Sequence, residues 1–375
     1  MSTIGNILIF EPDLKGHRLE YVHHLYCEAV NSNLNYYFVL SADFEKVKNK
    51  FEWQDADNIK VILLDKLEED RFKANGFYTK YKVLNKYIHI CKASRVFFIM
   101  LMQYLPIIPL FFFSKIKFEG IIYRIYLYEW TNSRLKKKLT EVLKWLFVSK
   151  CSSISRGYIL NDSSSAIYLN KVYSTDKFRY LADPFTEITY IAKDKREELG
   201  IAEDKKIFLH FGGLTKRKGT MDIMNSLFKL NAEEKQGYTF IFAGVVYKDI
   251  KEEFYEKYNK LKDAVDIRIF DEFCSYEFLN DLCYSSDCIL IPYHNTNQSS
   301  GIISYAANYN KPVIGPKGGL LGKLIRKYHL GITIDIKDGI HKYLDTKFPI
   351  TSNRYIQEHS TSVFSKAIIT EFQKQ

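Results

Sequence analysis

Residues 206–219 read KIFLHFGGLTKRKG, a mostly apolar run followed by two glycines and then three consecutive cations. The run over residues 206–211 has the length and composition of a buried strand. A helical pattern follows over residues 221–230. A strand, a glycine loop and a helix in this order are typical of a doubly wound parallel sheet, in which ligands bind at the carboxyl ends of the strands.

The same alternation of strands and helices extends along the chain on both sides of this stretch. Further strands are predicted at residues 7–10, 36–40, 60–64, 95–100, 121–127, 158–160, 179–185, 239–243, 266–269, 288–292 and 312–314. Asp183-Pro184 reads as a linker between two series of such units. The sequence therefore predicts an α/β chain with two doubly wound, Rossmann-like domains facing across a cleft, residues 1–185 and 186–352. A last helix over residues 353–375 is predicted to cross back onto the first domain.

Composition and charge exclude several classes of protein. The 375 residues are 46% hydrophobic and 26% charged, which excludes disordered and low-complexity proteins. Six cysteines are too few for a disulfide scaffold of this size, and they predict reduced thiols in a cytoplasmic protein. Residues 1–185 hold 27 Lys and Arg against 19 Asp and Glu, a balance of +8, whereas the remainder has a balance of +2. The basic first half indicates an anionic partner.

The loop after the 206–211 strand is the first candidate site. Its adjacent glycines, Gly212 and Gly213, let the backbone approach a bulky anion. Lys216, Arg217 and Lys218 follow, and such cations bind diphosphates well. The spacing is not that of a Walker loop. Taken alone, the loop could also be a charged, solvated turn.

Two more loops follow strands of the same predicted sheet. The second holds Gln298, Ser299, Ser300 and Gly301 at the start of a predicted helix, and the third holds Gly318 and Gly319. Backbone amides and hydroxyls at a helix start suit a phosphate or sugar hydroxyls, although simple capping by serine explains them as well. Because all three loops follow parallel strands, we expect them at one edge of the sheet.

The order and spacing of these motifs resemble the C-terminal donor domain of retaining GT-B glycosyltransferases that use nucleotide sugars. Members of that group read Gly-Arg-Leu-x3-Lys-Gly where residues 212–219 stand. They carry Glu-Ala-x5-Pro-Val where Tyr305-Ala306 precedes Pro312-Val313, and then a Gly-Gly loop, here Gly318-Gly319. The resemblance covers about half of the chain. It implies that these three loops, Tyr305 included, bind the donor.

Two departures from the family pattern stand out. Gly213 replaces the loop arginine of the family, so Lys216 or Arg217 is expected to supply that charge. The family's pair of glutamates is missing. Tyr305 stands where the resemblance implies a ribose ligand, and Asn297 or Gln298 stands near the position that touches the donor sugar. Amide and tyrosyl groups hydrogen-bond hydroxyls as well.

The N-terminal domain carries a glycine loop of its own between its first strand and first helix. The resemblance implies that this loop reaches toward the donor phosphate and the acceptor. Gly16 and His17 stand at that place. We therefore expect His17 to be a catalytic residue that donates to the donor phosphate or to an acceptor hydroxyl, and Lys218 to be one that stabilises the leaving diphosphate. A surface histidine capping a turn is the other interpretation. Cations and amides suffice for the leaving group, so no metal or cofactor is expected.

Residues 133–150 form a predicted amphipathic helix with leucines on one side and lysines on the other. Such a helix can lie on an anionic bilayer, or it can pack on its own sheet with a solvated polar face. With the basic first half, it favours a lipid-linked glycan acceptor and a place at the inner face of the membrane.

These observations predict a glycosyltransferase that moves a hexose-type sugar from a nucleotide diphosphate to an acceptor hydroxyl, in bacterial surface polysaccharide biosynthesis and with retention of configuration. Two other classes stay open. The missing glutamates fit a non-catalytic nucleotide-sugar-binding partner subunit, and the charge fits a nucleic-acid-binding protein, although phosphate loops at strand ends argue against nucleic acid. A sugar-nucleotide epimerase is a further enzymatic alternative.

Overall fold

The structure is a computed structural model, and it divides into two compact units. One comprises residues 1–184 together with 359–375, and the other comprises residues 185–358. The structure describes residues 5–74, 76–105, 107–111, 116–123, 127, 130, 134–185, 190–294, 296–297 and 300–374. Each unit is described by itself below.

The first unit is a parallel sheet with helices on both faces. In chain order its elements are β1 (Asn6–Glu11), α1 (Arg18–Val30), β2 (Tyr36–Leu40), α2 (Phe44–Val47), β3 (Ile59–Leu63), α3 (Lys66–Lys73), α4 (Phe77–Ile90), β4 (Ala93–Phe98), α5 (Ile107–Phe111), β5 (Lys117–Ile122), α6 (Leu135–Lys150), β6 (Ile154–Leu160), α7 (Ser163–Tyr173) and β7 (Phe178–Leu181). The strand order is β3-β2-β1-β4-β5-β6-β7. Central β1 is buried on both faces, which explains its apolar sequence.

The second unit repeats this architecture. Its elements are β8 (Lys206–Phe211), α8 (Thr220–Leu227), α9 (Ala232–Gly237), β9 (Tyr238–Ala243), α10 (Lys248–Leu261), β10 (Asp266–Phe270), α11 (Tyr276–Ser285), β11 (Cys288–Leu290), α12 (Ile302–Asn308), β12 (Val313–Pro316), α13 (Gly319–Lys327), β13 (Gly331–Ile334) and α14 (Asn353–Glu358). The strands are parallel and run in the order β10-β9-β8-β11-β12-β13. The predicted α/β class with two doubly wound sheets is confirmed.

The strand order identifies where a ligand site is expected. In the second unit the chain moves outward from β8 through β9 to β10 and then returns to the other side of β8 with β11. The loops after β8 and β11 therefore diverge at a topological switch point, where open α/β sheets bind ligands. All three predicted donor loops follow β8, β11 or β12.

The last segment differs from the single helix predicted over residues 353–375. The structure has two helices there, α14 in the second unit and α15 (Thr361–Gln373) in the first. Ser360 is the reason for the break, because its side chain accepts a hydrogen bond from the Val363 amide at 3.3 Å and starts a new helix. Helix α15 packs against α1, where Phe364 lies 5.2 Å from Tyr21 between ring centroids.

Helix α6 corresponds to the predicted amphipathic segment 133–150, of which Ser133 lies outside the described residues. Within the part of the chain that the structure describes, no helix combines the length and the apolar character needed to span a bilayer.

Candidate functional site

The loop after β8 is shaped by glycines. Gly212 has φ of +85°, and its amide donates to the Ala243 carbonyl at 2.9 Å. A Cβ at Gly212 would lie 2.6 Å from Nζ of Lys218, so the amine lies directly against the glycine backbone. A larger residue would have to displace it, which explains the glycine at this position.

Lys218 itself comes from a single 3₁₀ turn, Lys216–Lys218, capped by the side chain of Thr215. Its ammonium lies 5.7 Å from the centre of the Tyr293 ring. Burial, together with the nearby Arg217 charge, lowers the pKa of Lys218 to about 8. Among the residues that the structure describes, no carboxylate lies within ion-pair distance of this amine. The site therefore holds a half-buried cation without an acidic partner.

The segment after β11 packs directly on this loop. Gly219, with φ of +73°, has its Cα so close to Pro292 that a Cβ would lie 2.1 Å from the Pro292 carbonyl oxygen. The amide of His294 donates to the Arg217 carbonyl at 2.9 Å. The His294 ring also contacts helix α8, with Nε2 at 2.6 Å from a carboxylate oxygen of Asp222. The loops after β8 and β11 are therefore one connected structure.

Tyr293 connects Lys218 with the predicted serine loop. Its ring faces the Lys218 ammonium, and its hydroxyl accepts from Oγ of Ser300 at 3.5 Å. Burial raises the pKa of Tyr293 to about 12, so the phenol stays protonated. Lys218 and Ser300 thus both contact Tyr293. This agrees with the expectation that their two loops lie close together. Gln298 and Ser299 lie outside the described residues.

The beginning of α12 follows Ser300 immediately. Gly301 is its N-cap residue. One turn on, the ring of Tyr305 meets Phe211, the last residue of β8, edge to face at 5.5 Å between centroids. Tyr305 is half-buried, so the residue that replaces the glutamate of the family pattern lies beside the first loop.

The third loop is bonded to the second. The Leu320 amide donates to the Thr296 carbonyl at 2.8 Å. Gly319 has φ of +67° and touches Thr296 so closely that a Cβ would clash with its side chain and backbone. Gly318 has open space around it. Of the predicted glycines here, Gly319 is required by its neighbours, whereas Gly318 leaves a backbone position accessible.

A fourth loop belongs to the site and was missed by the sequence reasoning. Gly244 directly follows β9, and a Cβ there would lie 2.3 Å from the Gly212 carbonyl oxygen. The Leu214 amide donates to the Val245 carbonyl at 2.9 Å. The exposed ring of Tyr247 lies 2.9 Å from the position that a Cβ of Gly213 would occupy. The rule that strand ends carry ligand loops applies equally to this glycine and could have found it.

The predicted residues of the first unit form a separate loop after β1. Gly16 has φ of +63° and open space around it. His17 is exposed, and its Nδ1 lies 3.2 Å from Glu20, whose hydrogen bond raises the pKa of the imidazole. Arg18 contacts Glu11 at 3.2 Å and Asp13 at 3.1 Å. This loop is therefore rich in internally paired charges.

One other candidate site in the second unit, a cavity, lies apart from these loops. A cavity of about 670 Å³ in the second unit is lined by residues near Asn310 and Ser352 and includes none of the predicted site residues. No cluster of three or more His, Cys, Asp or Glu side chains suited to a metal ion occurs among the described residues. The four strand-end loops are therefore the best candidate for a functional site in the second unit.

The sequence matches no protein-family model and no curated protein. Solved structures, in contrast, are similar over nearly the whole chain. A glycosyltransferase from Rickettsia africae ESF-5 gives a TM-score of 0.69 at 12% identity, covering 99% of this chain and 98% of that one. HepE from Anabaena, in complex with UDP and glucose, gives 0.66 at 12% identity over 99% and 100%. WaaG, a glycosyltransferase involved in lipopolysaccharide biosynthesis, gives 0.58 at 13% identity over 98% of each chain.

At such low identity the likeness is one of architecture. It agrees with the two parallel sheets, their doubly wound strand orders and the return of the last helix to the first unit. The chain has the two-domain GT-B fold.

Proposed function

We propose that the protein is a glycosyltransferase that takes a hexose-type sugar from a nucleotide diphosphate. The observation that carries the proposal is the half-buried ammonium of Lys218, which lies against Gly212 with no carboxylate near it among the described residues. A buried cation is costly unless a counter-ion arrives. A diphosphate at the loops after β8 and β11 supplies that counter-ion.

The proposed reaction transfers the sugar with retention of configuration. The acceptor oxygen attacks the anomeric carbon on the face of the leaving group, the bond from that carbon to the β-phosphate oxygen breaks, and the acceptor proton passes to the departing diphosphate. Lys218 and the Gly213 amide stabilise the charge that develops on the leaving group, whereas the Gly212 amide is already bonded to the Ala243 carbonyl. No metal or protein nucleophile is needed for this step. We assign His17 to the acceptor hydroxyl, as the family resemblance implies.

The remaining proposed donor contacts belong to the same loops and to Tyr305. Lys216 and Arg217 are exposed cations beside Lys218 and add charge around the diphosphate. Tyr305 offers a phenol beside Phe211 where the family has a ribose-binding carboxylate. Amides or hydroxyls at Ser300, Gly301, Gly318 and Gly319, with Gln298 and Ser299, complete the proposed donor set. The solved structures of HepE contain UDP, which supports a nucleotide sugar as the ligand class.

For the acceptor and the cellular setting we propose a lipid-linked glycan in bacterial surface polysaccharide biosynthesis, at the inner face of the membrane. The described involvement of WaaG in lipopolysaccharide biosynthesis supports the class of acceptor. The +8 balance of the first half supports an anionic lipid phosphate on it.

The experiment is a thermal-shift screen with UDP-, GDP-, ADP- and dTDP-sugars on the wild type, Lys218→Ala and Lys262→Ala. Lys262 is an exposed lysine just after α10 in the same unit and serves as the matched control. A donor at a hundred times its Kd stabilises the folded protein by about 2.7 kcal/mol. We expect this shift in the wild type and in Lys262→Ala, and its loss in Lys218→Ala. Equal binding by Lys218→Ala contradicts the proposal.

A second candidate function is a non-catalytic nucleotide-sugar-binding subunit, which the tyrosine in place of the family glutamate favours. The two differ in turnover. Incubation of the bound donor with lipid-linked glycans releases nucleoside diphosphate only if the protein is a transferase. Donor conversion without any acceptor would instead identify an epimerase.

A further inference from the structure

Helix α6 presents its apolar side to solvent. The apolar residues it buries are Trp145 and Val148, which pack into the core of the first unit. The leucines at intervals of four, four and three residues form a separate stripe and are exposed: Leu135 by 82%, Leu139 by 60%, Leu143 by 43% and Leu146 by 39%. A helix that only packs on its own sheet would bury this stripe.

Neighbouring helices extend the apolar surface. Helix α7 packs into the same core cluster as α6, so both lie on one side of the sheet and both outer faces point away from it. The outer face of α7 exposes Ile167, Tyr168 and Val172. The ends of the two helices are joined, because Nζ of Lys150 donates to the Tyr173 carbonyl at 3.0 Å. Exposed apolar side chains gathered on two neighbouring helices in this way usually mark an interaction site.

Positive charge surrounds and interrupts the leucine stripe. The segment 134–150 carries Arg134 and five lysines against the single acid Glu141, which already pairs with Lys144 at 2.8 Å. Lys136 and Lys150 fall on the same exposed side of the helix as the leucines, at helical spacing. Near the start of α6, the Lys138 ammonium lies 5.6 Å from the ring centre of the partly exposed Trp130.

This mixture of leucine and lysine identifies the occupant. The centres of protein–protein interfaces are depleted of lysine, since a buried ammonium must lose its water. At a bilayer surface the same side chain keeps its charge, because its long stem lies along the apolar region while the ammonium reaches the phosphates. Leucines enter the boundary between headgroups and acyl chains, and tryptophan is suited to that depth.

We propose that the outer face of α6 and α7 docks onto the surface of an anionic phospholipid bilayer. A cavity of about 410 Å³ between Pro109 and Leu146 continues the apolar surface beyond the end of the stripe. The exposed Leu110 lies at the same end. This inference shares the membrane setting of the proposed function, but it uses only residues of the first unit and requires no sugar chemistry, so the vesicle test can fail while donor binding is retained.

The test is co-sedimentation of the whole protein with vesicles of phosphatidylcholine, alone or with about one third phosphatidylglycerol. We expect binding to the anionic vesicles that weakens with added salt. Leu139→Glu should reduce the partition coefficient about tenfold, since burial of a leucine is lost. Val363→Glu is the matched control: it is an exposed apolar residue on α15, which packs on the other core cluster of the same unit, and it should bind as the wild type does.

A second variant separates charge from apolar contact. Lys136→Gln should weaken binding to anionic vesicles roughly fivefold and leave the weak binding to neutral vesicles unchanged. Circular dichroism should show wild-type folding for all three variants, because the substituted side chains are exposed. The proposal is overturned if the wild type ignores anionic vesicles, or if Leu139→Glu binds them equally. It is also overturned if the wild type is a dimer that Leu139→Glu dissociates, since the surface then binds a second copy.

Discussion

The loop after β1 and the loop after β8 hold the same topological place in their two units, yet their charges are arranged in opposite ways. In the first, Arg18 lies within ion-pair distance of both Glu11 and Asp13. In the second, Lys218 has no such partner among the described residues. A paired guanidinium is already neutralised, whereas an unpaired ammonium keeps its potential for a ligand. Of the two loops, the second is therefore the one arranged to receive an anion.

The glycines of the two loops also differ, in how closely other atoms pack against them. Gly16 and Gly219 both have positive φ, +63° and +73°. Nothing lies near the place where a Cβ of Gly16 would be, whereas Gly219 is pressed against the Pro292 carbonyl. The first loop needs its glycine only for its backbone conformation. The second also needs it for contact with the neighbouring loop.

The largest effect is expected from alanine at these two glycines. Gly219→Ala combines an unfavourable φ with a backbone clash and should lower the free energy of unfolding by about 3 kcal/mol. Gly16→Ala has only the conformational cost, about 1 kcal/mol. Urea denaturation of both variants measures the difference. Equal losses would mean that the loops after β8 and β11 are not packed as described here.

Smaller effects on stability are expected from replacing Arg18 and Lys218, and the two replacements should differ: the first should destabilise the protein and the second should not. Arg18→Met leaves the buried Glu11 without its partner and should cost about 2 kcal/mol at pH 8. Burial already raises the pKa of Glu11 to about 7, so the carboxyl takes up a proton at lower pH and the cost should shrink at pH 6.

Lys218→Met should behave differently. The folded state lowers the pKa of Lys218 from 10.5 to about 8, so between these values the unfolded chain binds more protons and the amine makes the fold less stable as pH falls. Removing it should leave the protein at least as stable at pH 7. Denaturation of both variants at pH 6 and pH 8 provides the comparison. A clear loss of stability in Lys218→Met would show that the amine has a structural partner.

The smallest effect concerns protons taken up with the donor. A bound diphosphate restores the pKa of Lys218 toward its ordinary value, and since the free amine is half protonated at pH 8, binding at that pH should be accompanied by uptake of up to about half a proton. Affinity should consequently fall as pH rises above 8. Calorimetry in two buffers with different ionisation enthalpies measures the uptake. Arg18→Met should retain the uptake. Donor binding by the wild type without proton uptake would contradict this role of Lys218.

Strand and loop order could be read from the sequence because they depend on local signals. The run over residues 206–211 and the glycines after it are sufficient to predict a strand, a glycine loop and a helix, and the structure has them in that order. The apolar run over residues 288–292 likewise corresponds to a strand, β11, although the hydrogen-bonded part ends at Leu290.

Contacts between distant residues were not accessible in the same way. Tyr293 reads as an ordinary aromatic residue after a strand, and only the folded sheet brings it to Lys218 and Ser300. The leucine stripe of α6 was equally ambiguous. Periodicity shows that a helix has an apolar side, but which side meets the sheet depends on Trp145 and Val148 finding their places in the core. The break at Ser360 was a missed capping signal.

The return of the chain at His359 has a consequence for the order in which the molecule is made. Its Nδ1 lies 2.9 Å from the Asp183 carbonyl, so the points where the chain leaves and rejoins the first unit are hydrogen-bonded. When residues up to 358 have been synthesised, every described strand of both sheets has been made but α15 has not. Phe364, Ile368 and Phe372 of α15 belong to one core cluster of the first unit. The second unit can therefore fold on the nascent chain before α15 is made, while the first unit, which comes first in translation, is completed last.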